Sequence, residues 1–381
     1  MRSIVIVGSG LAGYSVAREV RRRDKTAQLV VVTADDGHFY SKPTLSEAFQ
    51  LGIPLPELSS RSAEGMAAQI KGEVWTDTPV DHIDLARRTL GTTRGDLRYD
   101  KLVLALGAEP ILPPIDAGSL SRVLTVNDLR DYRRFREAAH LKKVVAILGA
   151  GLIGCEFAND LVHAGFEVKV IDIAGTPLNR LLPDPNGRYL RDALQQAGVQ
   201  WHLGTGVRTI ERHGGGVQIV CTNGDRLDAD IVLSAIGLRP RTALARKAGL
   251  VVERGISADA ALRTSNPDVY ALGDCAEVRG LWLPYVAPIV PAAKVVAANL
   301  TGESALVRYA PMPVIVKTPA CPSIACPPPP GVTGEWKTSS DAGGIQSLFR
   351  DASGLLRGFA LSGAPTRCAN ELAQTMPMLL A

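Results

Sequence analysis

Cysteine is scarce in this chain, six residues in 381. That number cannot build a disulfide-stapled scaffold, and it points to a reducing, cytoplasmic setting. Long apolar runs are missing as well. No uncharged stretch reaches the roughly 18 residues that a membrane-spanning helix needs, so no membrane insertion is expected. The run Ile4–Val7 is too short for a secretory leader and meets glycine at once. Nor is there an excess of one charge: 42 Lys and Arg against 38 Asp and Glu give a net +4. So mild a surplus excludes nucleic acid as the natural target and suits an acidic protein partner. No metal site is expected, and the molecule should be a monomer or homodimer.

What is present is a large apolar content, 46%, in a chain long enough for two or three domains at about 150 residues each. Its organising stretch is Val144–Ala158, a buried apolar strand running into Gly149-x-Gly151-x-x-Gly154 and then a helix. Glycines in that order make a tight turn and leave bare backbone where a pyrophosphate approaches the helix N-terminus. One such motif is weak; here Ile4–Gly13 has the same form, with Gly8, Ser9, Gly10 and Gly13. Two nucleotide sites imply two cofactors on related domains.

The first unit continues with a helical segment, Tyr14–Arg23, and a second strand, Gln28–Thr33, as a parallel crossover. An acidic residue after that strand usually takes the adenosine ribose. The place is held by Thr33, Ala34 and Asp35, and any of the three could serve. Next, Tyr40-Ser41-Lys42-Pro43 opens a helix, and Lys42 is either a surface lysine beside a cap or a donor to a bound ring. Residues 74–83 and 89–99 look like strands of an antiparallel excursion, in which the backbone of Val80 could meet an adenine edge. The strand Leu102–Leu106 then breaks at Gly107-x-x-Pro110, a fitting exit to a second domain.

In the second unit the arginine-rich stretch 123–141 reads as a solvated helix face. The strand Phe166–Ile171 ends in Asp172, whose carboxylate accepts from a ribose 2′-hydroxyl and repels a 2′-phosphate, favouring NADH over NADPH. Glu156, just past the last glycine, is either a first-turn acid favoured by the helix dipole or a polar group beside the nicotinamide, paired with Lys42 across the ring. Ala229–Pro240 repeats the exit signal, with Gly237 in the place of Gly107. Tyr270–Asp274 brings Asp274 to a strand end, as a turn residue or as an acceptor for a ribityl hydroxyl. A helix over Ala292–Leu300 aims its positive end at the same place. The tail, with strands at 314–316, 346–350 and 356–361 and a helix at 368–376, carries Lys317, a second candidate to reach the ring.

In their order these segments resemble the two-dinucleotide flavoprotein oxidoreductases, and within them the rubredoxin reductases of bacterial alkane-oxidising systems. The likeness spans nearly the whole chain and is most specific at 40–43, Gly149–Asp160, Ser234–Thr242, Tyr270–Val278 and Met312–Pro322. It implies an α/β fold: two Rossmann-like domains of glutathione-reductase type and a small α+β C-terminal domain. The boundaries would be 1–110 with 236–308 for FAD, 111–235 for NAD, and 309–381. It implies FAD at Gly8, Ser9, Gly10, Leu11, Ala12, Gly13, Thr33, Ala34, Lys42, Val80, Glu156, Asp274, Val286 and Lys317. NADH would meet Gly149, Gly151, Leu152, Ile153, Gly154, Asp172 and Gly237. Lys42, Glu156 and Lys317 would be the catalytic group, and rubredoxin the electron acceptor, serving alkane hydroxylation or oxygen detoxification. Glu47 departs from some ferredoxin reductase relatives, which have lysine there.

Three rivals follow from the same residues. A disulfide reductase needs a cysteine pair against the ring; the helix after Lys42 has none, and only Cys321-x4-Cys326 offers a spacing. A ferredoxin or a flavodiiron protein could replace rubredoxin as the acceptor. A non-catalytic flavoprotein that recruits a partner on binding NADH is the third.

Overall fold

The structure is a computed structural model, describing residues 2–381. Its first sheet is parallel and five-stranded, in the order Val269–Ala271, Lys101–Leu104, Ser3–Val7, Gln28–Val32, Glu73–Trp75. Alternate residues of these strands feed two cores. Ile4, Ile6, Leu29, Val31 and Val103 pack with the helices Leu11–Arg23 and Ile289–Thr301 on one face. Val5, Val7, Val30, Val32, Leu102 and Leu104 face the other core. Covered on both sides, the strands are apolar along their length, which is why they read as unbroken runs.

The second sheet repeats the plan: Val123–Thr125, Ile231–Ser234, Val144–Leu148, Glu167–Asp172, Val199–Leu203, again parallel. Its alternate residues divide the same way, Val145 and Ile147 to one core, Ala146 and Leu148 to the other. The two sheets differ at one edge. The outermost strand beside Lys101–Leu104 comes from late in the chain, whereas its counterpart, Val123–Thr125, precedes the rest of its sheet. A two-stranded antiparallel ribbon, Ala108–Pro110 with Leu238–Pro240, joins the units where both exit signals fall.

Several expectations need correction. The stretch 74–83 is two elements: Glu73–Trp75 is the parallel sheet's edge, and Val80–Asp84 opens a three-stranded meander with 89–92 and 95–98. The late helix begins at Ile289, not Ala292, because Pro291 sits in its first turn, where the missing N–H costs no hydrogen bond. The tail holds five strands in the order 314–316, 323–326, 356–363, 344–351, 334–341. Gly334–Asp341 was missed since it is an edge strand, almost wholly exposed and polar. The final α-helix is shorter, Ala369–Thr375, after a 3-10 turn.

Candidate functional site

Both glycine loops are built by the same contacts. A Cβ on Gly8, whose φ is +117°, would lie 2.2 Å from the Ala105 carbonyl oxygen, and one on Gly13 would lie 1.9 Å from that of Gly8. In the second loop, a Cβ on Gly149 would come 2.7 Å from the Ala235 oxygen and one on Gly154 1.9 Å from that of Gly149. The middle glycines differ: around a Cβ on Gly10 or Gly151 there is nothing within 4 Å. These two positions look into open space at the N-termini of the helices Leu11–Arg23 and Leu152–His163, neither capped by a side chain. Uncapped N–H groups beside bare backbone fit a pyrophosphate at each.

The second strand of each unit leads into acid. At the first, Asp35 Oδ1 accepts from Ser9 Oγ at 2.7 Å, Thr33 Oγ1 at 2.6 Å and the Gly37 amide at 3.0 Å, while Ala34 is exposed. The segment 75–78 runs alongside, Thr78 N donating to the Thr33 oxygen, and leads to half-buried Val80. At the second, Asp172 accepts from Ala150 N at 2.5 Å and Ala174 N at 2.7 Å. Ile173 beside it is 81% exposed. Gly237, at φ +126°, stands by the side chain of Ile111.

Between the loops, Gly273 lies so close to the first helix that a Cβ there would be 2.9 Å from that of Ala12. This sets Asp274 in the first crevice opposite Lys42. Burial raises the Asp274 carboxyl above the usual aspartate range, and Lys42 draws it back. Lys42 keeps solvent-accessible surface in the open crevice, yet the protein crowded round it lowers its pKa, opposed by Asp274 and reinforced by Arg241. Its Nζ donates to Asn127 Oδ1 at 2.9 Å, and Asn127 in turn donates to the Ala108 oxygen. Asn127 is buried and had no signal in the sequence; it simply precedes the helix cap Asp128. Val286 is exposed just ahead of the helix Ile289–Thr301.

Glu156 and Lys42 have separate direct partners in the structure. Glu156, 2% exposed, accepts from Ser46 Oγ at 2.7 Å and from the Lys317 amide at 3.1 Å, and its ion-pair partner is Lys317 Nζ at 3.0 Å. Lys317 also donates to Ser46 Oγ at 2.7 Å and to the Pro43 oxygen, with Glu47 at 3.4 Å. The glutamate was visible, but its lysine comes from another domain 161 positions away. No spacing rule spans that distance. The arginine helix is likewise not merely solvated: Arg130 pairs with Asp77 at 2.7 Å, Arg133 with Asp36 at 3.4 Å, and Arg136 lies 4.3 Å over the Phe49 ring.

No thiol shares the hydrogen bonds or the ion pair of this junction, although Cys155 adjoins Glu156 and Cys321 packs in the same core as Leu45 and Val316. Cys155, Cys221, Cys275, Cys321 and Cys326 are buried free thiols, and Cys368 is exposed. Burial raises the thiols of Cys275 and Cys326 to about 11. Cys321 and Cys326 are unpaired and feed different cores. Among the described residues no group of three or more His, Cys, Asp or Glu could hold a metal, and no helix is long and apolar enough to cross a membrane.

Known proteins show the same parts. The family described as pyridine nucleotide-disulphide oxidoreductase matches residues 2–295, and one described as rubredoxin binding C-terminal domain matches 306–376. The chain is 44% identical over 382 residues to the rubredoxin-NAD(+) reductase of Alcanivorax borkumensis, covering 100% of each. It is 43% identical to the protein of that name from Acinetobacter baylyi, covering 96% of this chain and 95% of that one. Among solved structures it is similar to the covalent putidaredoxin reductase–putidaredoxin complex, at a TM-score of 0.89 and 25% identity, covering 98% and 93%.

Proposed function

The chain belongs to the pyridine nucleotide-disulphide oxidoreductase family, in its rubredoxin-reductase branch, and from that we propose that it transfers electrons from NADH to rubredoxin with FAD as its cofactor. The observation that supports this reading is the junction of Ser46, Glu156 and Lys317, whose hydrogen bonds and ion pair join charge to hydroxyl and include no thiol. A bound flavin supplies a group that accepts two electrons together and releases them singly.

The chain's own residues do the rest. The Gly8–Gly13 loop, with Ser9, Leu11 and Ala12, would hold the FAD pyrophosphate, and Thr33, Ala34 or Asp35 its adenosine end beside Val80. Lys42 Nζ, held by Asn127, would donate to the ring; Asp274 would take ribityl hydroxyls; Val286 and the helix N-terminus after it would close the pyrimidine side. Gly149, Gly151, Leu152, Ile153 and Gly154 would seat NADH, with Asp172 on its ribose and Gly237 near the nicotinamide end. Glu156 and Lys317 would orient the reacting faces and exclude water. We divide the chain accordingly into 1–110 with 236–308, 111–235, and 309–381, and place its work in the cytoplasm, where buried free thiols stay reduced.

The experiment is anaerobic stopped-flow reduction of the flavin by NADH, followed by mixing with an acceptor. Rapid reoxidation by rubredoxin, with none by a disulfide substrate, is the expected result. Reoxidation by a ferredoxin alone would transfer the reading to another iron–sulfur acceptor. Slow turnover with every acceptor would leave a non-catalytic flavoprotein.

A further inference from the structure

The helix Leu152–His163 carries three polar side chains along one face: Glu156, Asn159 and Asp160, at 2%, 1% and 1% exposure. Such burial is unusual for these residue types and requires partners. Glu156 meets Ser46 and Lys317 as described. Asn159 Oδ1 accepts from the Ala320 amide at 3.2 Å, and its Nδ2 donates to Gln50 Oε1 at 3.4 Å. Asp160 Oδ1 accepts from the Gln50 amide at 2.8 Å and its Oδ2 from the Phe49 amide at 3.2 Å. All these partners lie in 46–50 or 317–320, outside the helix's own sheet unit.

We propose that Asp160 is a positioning residue: by holding the Phe49 and Gln50 amides it registers the segment bearing Lys42 and Ser46 against the helix bearing Glu156. This rests on the site assignment above. The ionised carboxylate offers an acceptor oxygen to each of the two amides, whereas protonation turns one of those oxygens into a donor set against an amide donor. Burial lifts this carboxyl to about 6, against the pull of the Gln50 and Phe49 amides and of Arg136, with Glu47 pushing it further up. The groups facing it are Arg136 and Tyr132 from the helix Leu129–Ala139 and Glu47 from the turn below. A loosened form that keeps Asp160 buried but gives up the two amides, which hold its pKa down, binds the proton more tightly than the registered form, so the register should hold at pH 7.5 and loosen below 6. Through this group, acidification stabilises the fold as a whole, since its folded pKa exceeds the unfolded aspartate value of about 3.9. Loosening without a fall in Tm separates loss of register from unfolding.

The test uses the holoenzyme and needs no rubredoxin, so failure to reduce rubredoxin would overturn the proposed function and leave this test standing. Flavin reduction by NADH is followed between pH 5.5 and 7.5 beside hydrogen exchange of the 42–53 peptide, corrected for intrinsic rates. Wild type should show an acid limb near pH 6 and faster exchange of the peptide below it. Asp160→Asn should reduce about tenfold more slowly at pH 7.5, exchange faster, and lose the acid limb. Asp160→Glu should keep the limb. An acid limb that persists in Asp160→Asn overturns the proposal. If that variant does not fold, peptide exchange in wild type that is indifferent to pH overturns it equally.

Discussion

Replacing Lys317 with methionine strips the buried Glu156 carboxylate of its cation while leaving most of the volume filled. At 3.0 Å and an effective dielectric near 20, the attraction lost is about 5.5 kcal/mol. Breaking one side of a buried pair typically costs about 3–5 kcal/mol. The Ser46 hydroxyl and the residue 317 amide still donate to Glu156, which returns about 1–2 kcal/mol. The expected net loss is about 2–3 kcal/mol. With an unfolding entropy of about 2.1 cal/mol/K per residue over 381 residues, that lowers Tm by about 3 °C. The assay is thermal unfolding of holoenzyme in excess FAD, by far-UV circular dichroism, for Lys317→Met, Glu156→Gln and the double variant. Removing the charge as well should restore part of the loss, giving a coupling above about 1 kcal/mol. Additivity within about 0.5 kcal/mol would refute the argument, because the two groups would then not be sharing one buried interaction.

Asp172→Ala combined with Ile173→Arg should move the ratio of kcat/KM for NADPH over NADH upward by about tenfold or more, as steady-state kinetics with each nucleotide would show; an unmoved ratio places the ribose elsewhere. Gly10→Ala should fold normally yet bind flavin weakly, whereas Gly13→Ala, driven into the Gly8 carbonyl, should lose thermal stability. The ratio of flavin to protein absorbance and the Tm separate the two. Alkylation at pH 7.5 should reach Cys368 and spare the buried thiols, and Cys321→Ser should leave turnover with rubredoxin unchanged. Mass spectrometry of the labelled protein and a rate assay check this pair, and loss of turnover would return sulfur to the reaction.

Where function is read by backbone, it was legible. Gly13 and Gly154 are forced by the carbonyls of Gly8 and Gly149 in the same loop, and the strands between two helical layers need apolar side chains throughout. What lay hidden was of two kinds. Gly334–Asp341 buries almost nothing, so no hydrophobic period marks it as a strand. Lys317 was legible as a candidate, but its pairing with Glu156, like that of Asn127 with Lys42, arises only through packing between distant segments, which local patterns do not encode. Pro291 misled for a third reason, because a proline at the start of a helix looks the same as one that forbids it.

The borrowed edge strand of the first sheet has a bearing on biosynthesis. Every strand of the middle sheet, Val123 to Ser234, is supplied in one continuous stretch, so that sheet can close as soon as it clears the ribosome. The N-terminal sheet cannot. Its Lys101–Leu104 strand waits for Val269–Ala271 about 165 residues later, roughly 8–33 s at 5–20 residues per second. During that interval a nascent parallel edge stands unpaired beside a finished neighbour. The middle sheet can thus be complete before the N-terminal one, and it serves as the platform on which the older segment completes itself.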